Sequence, residues 1–85
     1  MDNKLELFKK KLIYRAGYRG TKEMDILLST FVNKHIHSFD ENLLIELEKF
    51  LNFEDEIILN YYQNNIVEEK IDKNEISKIF KSFTI

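Results

Sequence analysis

The side chains with chemical potential in this sequence gather in three places. Between positions 15 and 25 stand Arg15, Arg19, Gly20, Lys22, Glu23 and Asp25. Two histidines follow at His35 and His37, and an acidic trio, Glu54-Asp55-Glu56, lies further on. Paired carboxylates are the usual equipment of general acid–base work. Glu23 and Asp25 are two residues apart, however, and on a helix that spacing sends side chains to different faces. The same spacing keeps His35 and His37 from converging on a metal, and neither has a Ser or Asp at a distance that suggests a relay. The acidic trio lacks a histidine neighbour and the mid-loop glycine of a calcium loop, so it reads as charge placed at a helix N-terminus. The only glycines, Gly17 and Gly20, cannot build a phosphate-cradling loop. Cysteine is absent, which removes disulfides, thiolate metal sites and a cysteine nucleophile. The sequence carries no catalytic constellation and no metal site, and its polar clusters read as ordering or docking groups.

What must position those groups is a set of helices. Proline is absent and glycine scarce, so hairpin turn chemistry is missing, while 44% hydrophobic and 13% aromatic residues are too many for a disordered chain. Residues 1–85 are expected to form one domain. A first helix over about 4–18 carries Leu5, Phe8, Leu12, Ile13 and Ala16 on one face, with Lys9, Lys10 and Lys11 mostly outside it. A second, about 21–36, has the widest stripe: Met24, Leu27, Leu28, Phe31, Val32 and His35. Asp40 caps a third over about 41–52, with Leu43, Leu44, Leu47, Phe50 and Leu51 inward. A short fourth opens at the acidic trio, with Ile57, Ile58, Tyr61 and Tyr62 as its apolar residues. Residues 63–72 are polar, with Ile66 and Val67 expected to plug the core. Asp72 and Glu75 spell a capping box for a fifth helix bearing Ile76, Ile79, Phe80 and Phe83. The fold class is all-α, a compact five-helix bundle.

Charge narrows the partners. Residues 1–23 hold seven Lys/Arg against three Asp/Glu, a local +4, and residues 24–85 hold six against twelve, a local −6. The basic part is either a solvated helix face or a surface for an acidic partner. An isoelectric point near 5.7 argues against nucleic acid. No apolar run approaches the ~20 residues of a membrane span, and the N-terminus lacks the character of a signal or transit peptide. A cytoplasmic location is expected.

At the junction of the first two helices, Gly20 permits a backbone conformation that a Cβ would strain. Either Gly20 or Thr21 can cap the second helix. Glu23 then falls at its third or second position, favourable to the helix dipole in both cases.

The run Arg19-Gly20-Thr21-Lys22-Glu23-Met24-Asp25 follows Leu12-Ile13-Tyr14-Arg15 and precedes Ile26-Leu27-Leu28-Ser29-Thr30-Phe31. It resembles the SdhE-type assembly factors, the family of the bacterial YgfY proteins and the mitochondrial succinate dehydrogenase assembly factor. Their hallmark is RGxxE with an acidic residue one position further on, matched here by Arg19, Gly20, Glu23 and Asp25. Leu43 to Tyr62 resembles the family's leucine-rich third helix, acidic corner and aromatic-ending fourth helix. Glu56 stands where a proline often opens the fourth helix, and Tyr61 where a tryptophan is common.

The resemblance implies assistance rather than catalysis. It implies binding to the flavoprotein subunit of succinate dehydrogenase, in some bacteria also fumarate reductase, and promotion of covalent FAD attachment. The flavin and the histidine that receives it belong to the partner, so no stably bound cofactor is expected here. Arg19 would pair with acidic or carbonyl groups of the partner, Gly20 would allow close backbone approach, and Glu23 would accept from partner donors or orient Arg19. Asp25 would join that contact or order the corner, with Arg15 and Lys22 beside it. An antitoxin-like regulatory module of the same fold is the alternative. A direct FAD carrier lacks a phosphate-binding loop.

Overall fold

Helix periodicity sets the architecture. The structure, a computed structural model, describes residues 4–84. The helices are α1 (Lys4–Ala16), α2 (Lys22–His35), α3 (Glu41–Leu51), α4 (Asp55–Asn64) and α5 (Glu75–Lys81). Short 3-10 turns at Ile36–Ser38 and Ile71–Lys73 complete the regular structure, and no strand occurs among the described residues. The expected all-α five-helix bundle is what forms. None of its helices is long and apolar enough to cross a membrane.

α1 packs on α2 and α3, and α5 packs on α3 and α4. Where they meet, Phe31 of α2 sits between Phe80 and Phe83, with ring centroids 5.0 and 5.2 Å away, and Phe50 packs on Phe80 at 5.3 Å. These tilted and edge-on contacts suit the ring quadrupoles and bury the largest apolar side chains of the chain. His35, at the end of α2, lies 5.1 Å from Phe31 and stacks on Phe39. It is a packing residue, as its place on the apolar stripe implies.

The structure corrects the sequence reading in four places. α1 ends at Ala16 rather than near 18, because the Gly17 amide closes the last turn on Ile13 and Tyr14. Its first turn is exposed throughout, so Leu5 stays in solvent and the buried stripe begins at Phe8. Lys9 is buried instead, its aliphatic stem packed down while the ammonium lies 3.6 Å from Glu6.

Ile66 and Val67 are exposed and plug nothing. α4 ends on Asn65 in the left-handed conformation (φ 57°), the Ile66 amide bonds back to the Asn60 carbonyl, and the chain is turned outward; Ile71 fills the core instead. Finally, Asn74 and not Asp72 caps α5. Its Oδ1 accepts from the Ser77 amide at 2.9 Å, while its Nδ2 donates to the Glu46 carbonyl at 3.0 Å. A carboxylate has no donor for that second bond, so an amide fits where an aspartate would not.

Candidate functional site

The junction between α1 and α2 is built from the backbone outward. After Gly17 the chain leaves helical conformation, and Gly20 takes φ +119°, a value that strains any residue with a Cβ. No atom lies within 4 Å of where that Cβ would stand, so backbone preference, not crowding, fixes the glycine. Thr21, in extended conformation, is the cap of α2: its hydroxyl accepts from the Met24 amide at 3.3 Å. Glu23 therefore occupies the second helical position.

Arg19 has the most constrained side chain of the corner. Its Nε donates to Asp55 Oδ1 at 2.9 Å, and its two terminal nitrogens donate to the carbonyls of Leu51 (2.6 Å) and Phe53 (2.7 Å). The side chain is only 10% exposed. Those carbonyls belong to the last residue of α3 and the turn after it, where helix-terminal acceptors are left without helical partners and the dipole is negative. Asp55 opens α4. One planar fork thus ties the α1–α2 junction to the α3–α4 turn, a task for which guanidinium geometry is suited and an ammonium is not. Arg15 reinforces the tie by donating to Asn52 Oδ1 at 2.6 Å. Asp25 holds the loop from behind, its Oδ1 accepting from the Arg19 backbone amide.

The six residues singled out in the sequence therefore divide. Arg19, Asp25 and Arg15 hold the chain to itself. The expectation that Arg19 reaches toward a partner meets a different geometry: the carbonyl and carboxylate groups it pairs with are this chain's own. Gly20, Lys22 and Glu23 are exposed, and neither the Lys22 nor the Glu23 side chain makes a hydrogen bond or ion pair among the described residues. Glu23 and Asp25, two apart, do face different ways. Glu23 instead borders a groove of about 350 Å³ between α2 and α4, lined also by Met24, Ile26, Leu27, Leu59 and Gln63.

Sequence reasoning missed the partners Asp55 and Asn52 and this groove. One available signal was Ile26, an aliphatic residue off the buried stripe of α2, which is exposed in the groove wall. Among the described residues no group of three or more His, Cys, Asp or Glu is placed to hold a metal.

Fold and corner together define a small all-helical domain whose motif arginine is a structural clasp and whose motif glutamate is open to solvent. A family model described as "Flavinator of succinate dehydrogenase" matches residues 10–84, and the chain belongs to that family of succinate dehydrogenase assembly factors. Among similar proteins, "Succinate dehydrogenase assembly factor 2-B, mitochondrial" is 41% identical over 51 residues in Drosophila simulans and in Drosophila melanogaster, covering 60% of this chain and 33% of each relative. "Succinate dehydrogenase assembly factor 2-A, mitochondrial" of Drosophila mojavensis is 39% identical over 51 residues, covering 60% of this chain and 32% of its own. The aligned stretch thus spans about a third of the length of these relatives. No solved structure matches the chain.

Proposed function

We propose that this chain binds the flavoprotein subunit of succinate dehydrogenase, and in a suitable host fumarate reductase, and promotes covalent attachment of FAD to it. The contact edge is Gly20, Lys22, Glu23 and the adjoining α2–α4 groove, with Arg19, Asp25 and Arg15 as its mount. The observation that carries this reading is Glu23. In a member of the flavinator family, the motif carboxylate stands unpaired at the rim of an apolar groove. That combination suits a partner offering a donor beside an apolar side chain. The open space at Gly20 suits close backbone approach.

The role is assistance rather than catalysis: the bound factor favours the flavoprotein conformation in which the flavin bond forms. Every guanidinium nitrogen of Arg19 already bonds within the chain, which argues against a diphosphate cradle at this corner. The flavin is read as the partner's. The Drosophila relatives are named mitochondrial; we place the action of this chain in the cytoplasm, which cell fractionation checks.

The test measures covalent flavin on the partner in a strain lacking this protein. Complementation with wild type should restore flavinylation. Glu23→Ala should fail to do so while losing no more than about 1 kcal/mol of stability, its share in the helix dipole. If deletion leaves covalent flavin unchanged, the function is wrong. If well-folded Glu23→Ala restores it fully, the working surface lies elsewhere.

A further inference from the structure

The face of α1 opposite the core carries three large side chains in solvent. Leu7 is 60% exposed, Tyr14 63% and Tyr18 69%. Leu7 and Tyr14 are seven residues apart, two turns along one line of the helix. Tyr18, just past the helix end, extends that line by stacking on Tyr14, with ring centroids 4.3 Å apart and planes 24° from parallel. Stacking two tyrosines in solvent covers one face of each ring and leaves the rest of both rings open to a partner. Tyrosine is the kind of side chain that dominates interface energetics.

Basic residues frame this stripe. Lys10 lies three residues after Leu7 and four before Tyr14, while Lys11 lies four after and three before. The two therefore stand on opposite sides of the line. Neither side chain makes a hydrogen bond or ion pair among the described residues. With Leu7, Tyr14 and Arg15 they line a shallow depression of about 550 Å³.

From this arrangement we infer that the outer face of α1 is a docking surface for an acidic amphipathic helix of a partner protein. Its occupant would place Leu or Phe along one side and Asp or Glu on both flanks. An apolar row seats on Leu7, Tyr14 and Tyr18, and the flanking carboxylates meet Lys10 and Lys11. The surface is distinct from the Glu23 edge and does not depend on the flavoprotein reading.

Charge decides between the occupants. An anionic membrane would meet a net charge of −2 on the chain as a whole and a stripe with a single aliphatic residue, short of what interfacial helices present. A second copy would have to offer an acidic apolar face. On α3 that face has Ile45 between Glu41 and Glu48, one exposed aliphatic side chain against a stripe three long, and the exposed Ile66 and Val67 before Glu68 and Glu69 lie in a non-helical segment that presents no helix face.

The experiment titrates a synthetic helical peptide of about three turns, Leu and Phe on one face and Glu on both flanks, into the isotope-labelled full chain. Amide shifts should change at Leu7, Lys10, Lys11, Tyr14 and Tyr18 and leave Glu23 unmoved. Affinity should fall at least about tenfold for the Lys10→Glu/Lys11→Glu double variant and for Tyr14→Ala, and should weaken with salt. Glu23→Ala should bind as wild type does. All of these positions are exposed, so the variants should fold, and melting curves verify it. Binding undiminished in both α1 variants overturns the inference. So does association with phosphatidylserine vesicles, or dimerisation lost with Tyr14→Ala, in the absence of peptide binding.

Discussion

Replacing Arg19 by alanine should destabilise this domain far more than its loop position suggests. The change removes three charge-assisted bonds, to Leu51 O, Phe53 O and Asp55 Oδ1. It leaves two carbonyls and a carboxylate that had been arranged around a cation. Removing one partner of a buried ion pair costs about 3–5 kcal/mol, because the other charge stays uncompensated. Asp55, with its side chain 25% exposed, can recover part of its hydration, and water can enter where the guanidinium stood. Both effects point to the lower end, about 3 kcal/mol. A domain of this size holds roughly 4–13 kcal/mol in total, and each kcal/mol shifts its melting temperature by about 4–8 °C. The expected drop is therefore about 12–24 °C. Arg19→Lys keeps the charge without the fork and should fall between alanine and wild type.

Urea unfolding followed by circular dichroism measures this directly, and a double-mutant cycle with Asp55→Ala isolates the pair. A coupling of at least about 1 kcal/mol is expected between residues sharing one hydrogen-bond network. A loss below about 1 kcal/mol for Arg19→Ala, within the ordinary range of surface substitutions, would refute the clasp.

Other positions give sharper local tests. Gly20→Ala should cost about 1–3 kcal/mol although its new methyl meets nothing, since φ +119° strains the backbone alone. A melting curve unchanged from wild type would show that the loop relaxes freely. Asn74→Ala should lose about 2 kcal/mol in urea titration, a helix cap plus the bond to the Glu46 carbonyl. Asn74→Asp should do no better than alanine, because a carboxylate would face that carbonyl; near-wild-type stability of the aspartate would remove the case for a two-sided amide. Lys70, at φ 59° and exposed, is a left-handed residue with a Cβ. Lys70→Gly should be neutral or raise stability by up to about 1 kcal/mol, read as a higher urea midpoint at unchanged slope.

In α2 and α3, where a wide apolar face had to be buried, the sequence was legible, whereas in α1 Leu5 and Lys9 exchanged the places their spacing suggested. Met24, Leu28, Phe31 and Val32 repeat at helical spacing and are all buried, and Asp40 caps α3 as its position before an apolar run suggests. Illegible were the features decided by contacts distant in the chain. Asp72 with Glu75 and Asn74 with Ser77 are both plausible caps on local grounds. The choice is made by the Glu46 carbonyl, 28 residues away, which needs a donor. Ile66 and Val67 are apolar enough for a core, but the outward turn at Asn65 removes them from it. Arg19 is the same case at the site. No local pattern distinguishes an arginine aimed at a partner from one aimed at the turn after α3, since its acceptors lie 32 to 36 residues downstream and two of them are backbone.

That geometry changes how mutations in the motif must be interpreted. Arg19, Glu23 and Asp25 sit within seven positions, and a charge change at any of them would ordinarily be read as loss of a docking contact. Here the effects should separate by mechanism. Variants at Arg19 and Asp25 act on the mount, so lost function should track lost stability and recover at lower temperature or with a stabilising second change. Variants at Glu23 and Lys22 act on an edge whose side chains pair with nothing among the described residues, so lost function should occur with at most about 1 kcal/mol of lost stability, the helix-dipole share of Glu23, and should not recover. The α2–α4 groove supplies an independent check, because Ile26 is exposed in its wall and contributes little to the core. A polar substitution there leaves fold and clasp intact and removes only what an apolar partner side chain would meet. If Ile26→Gln behaves like Glu23→Ala, the edge and the groove form one contact surface. If it behaves like wild type, Glu23 is recognised through its charge alone.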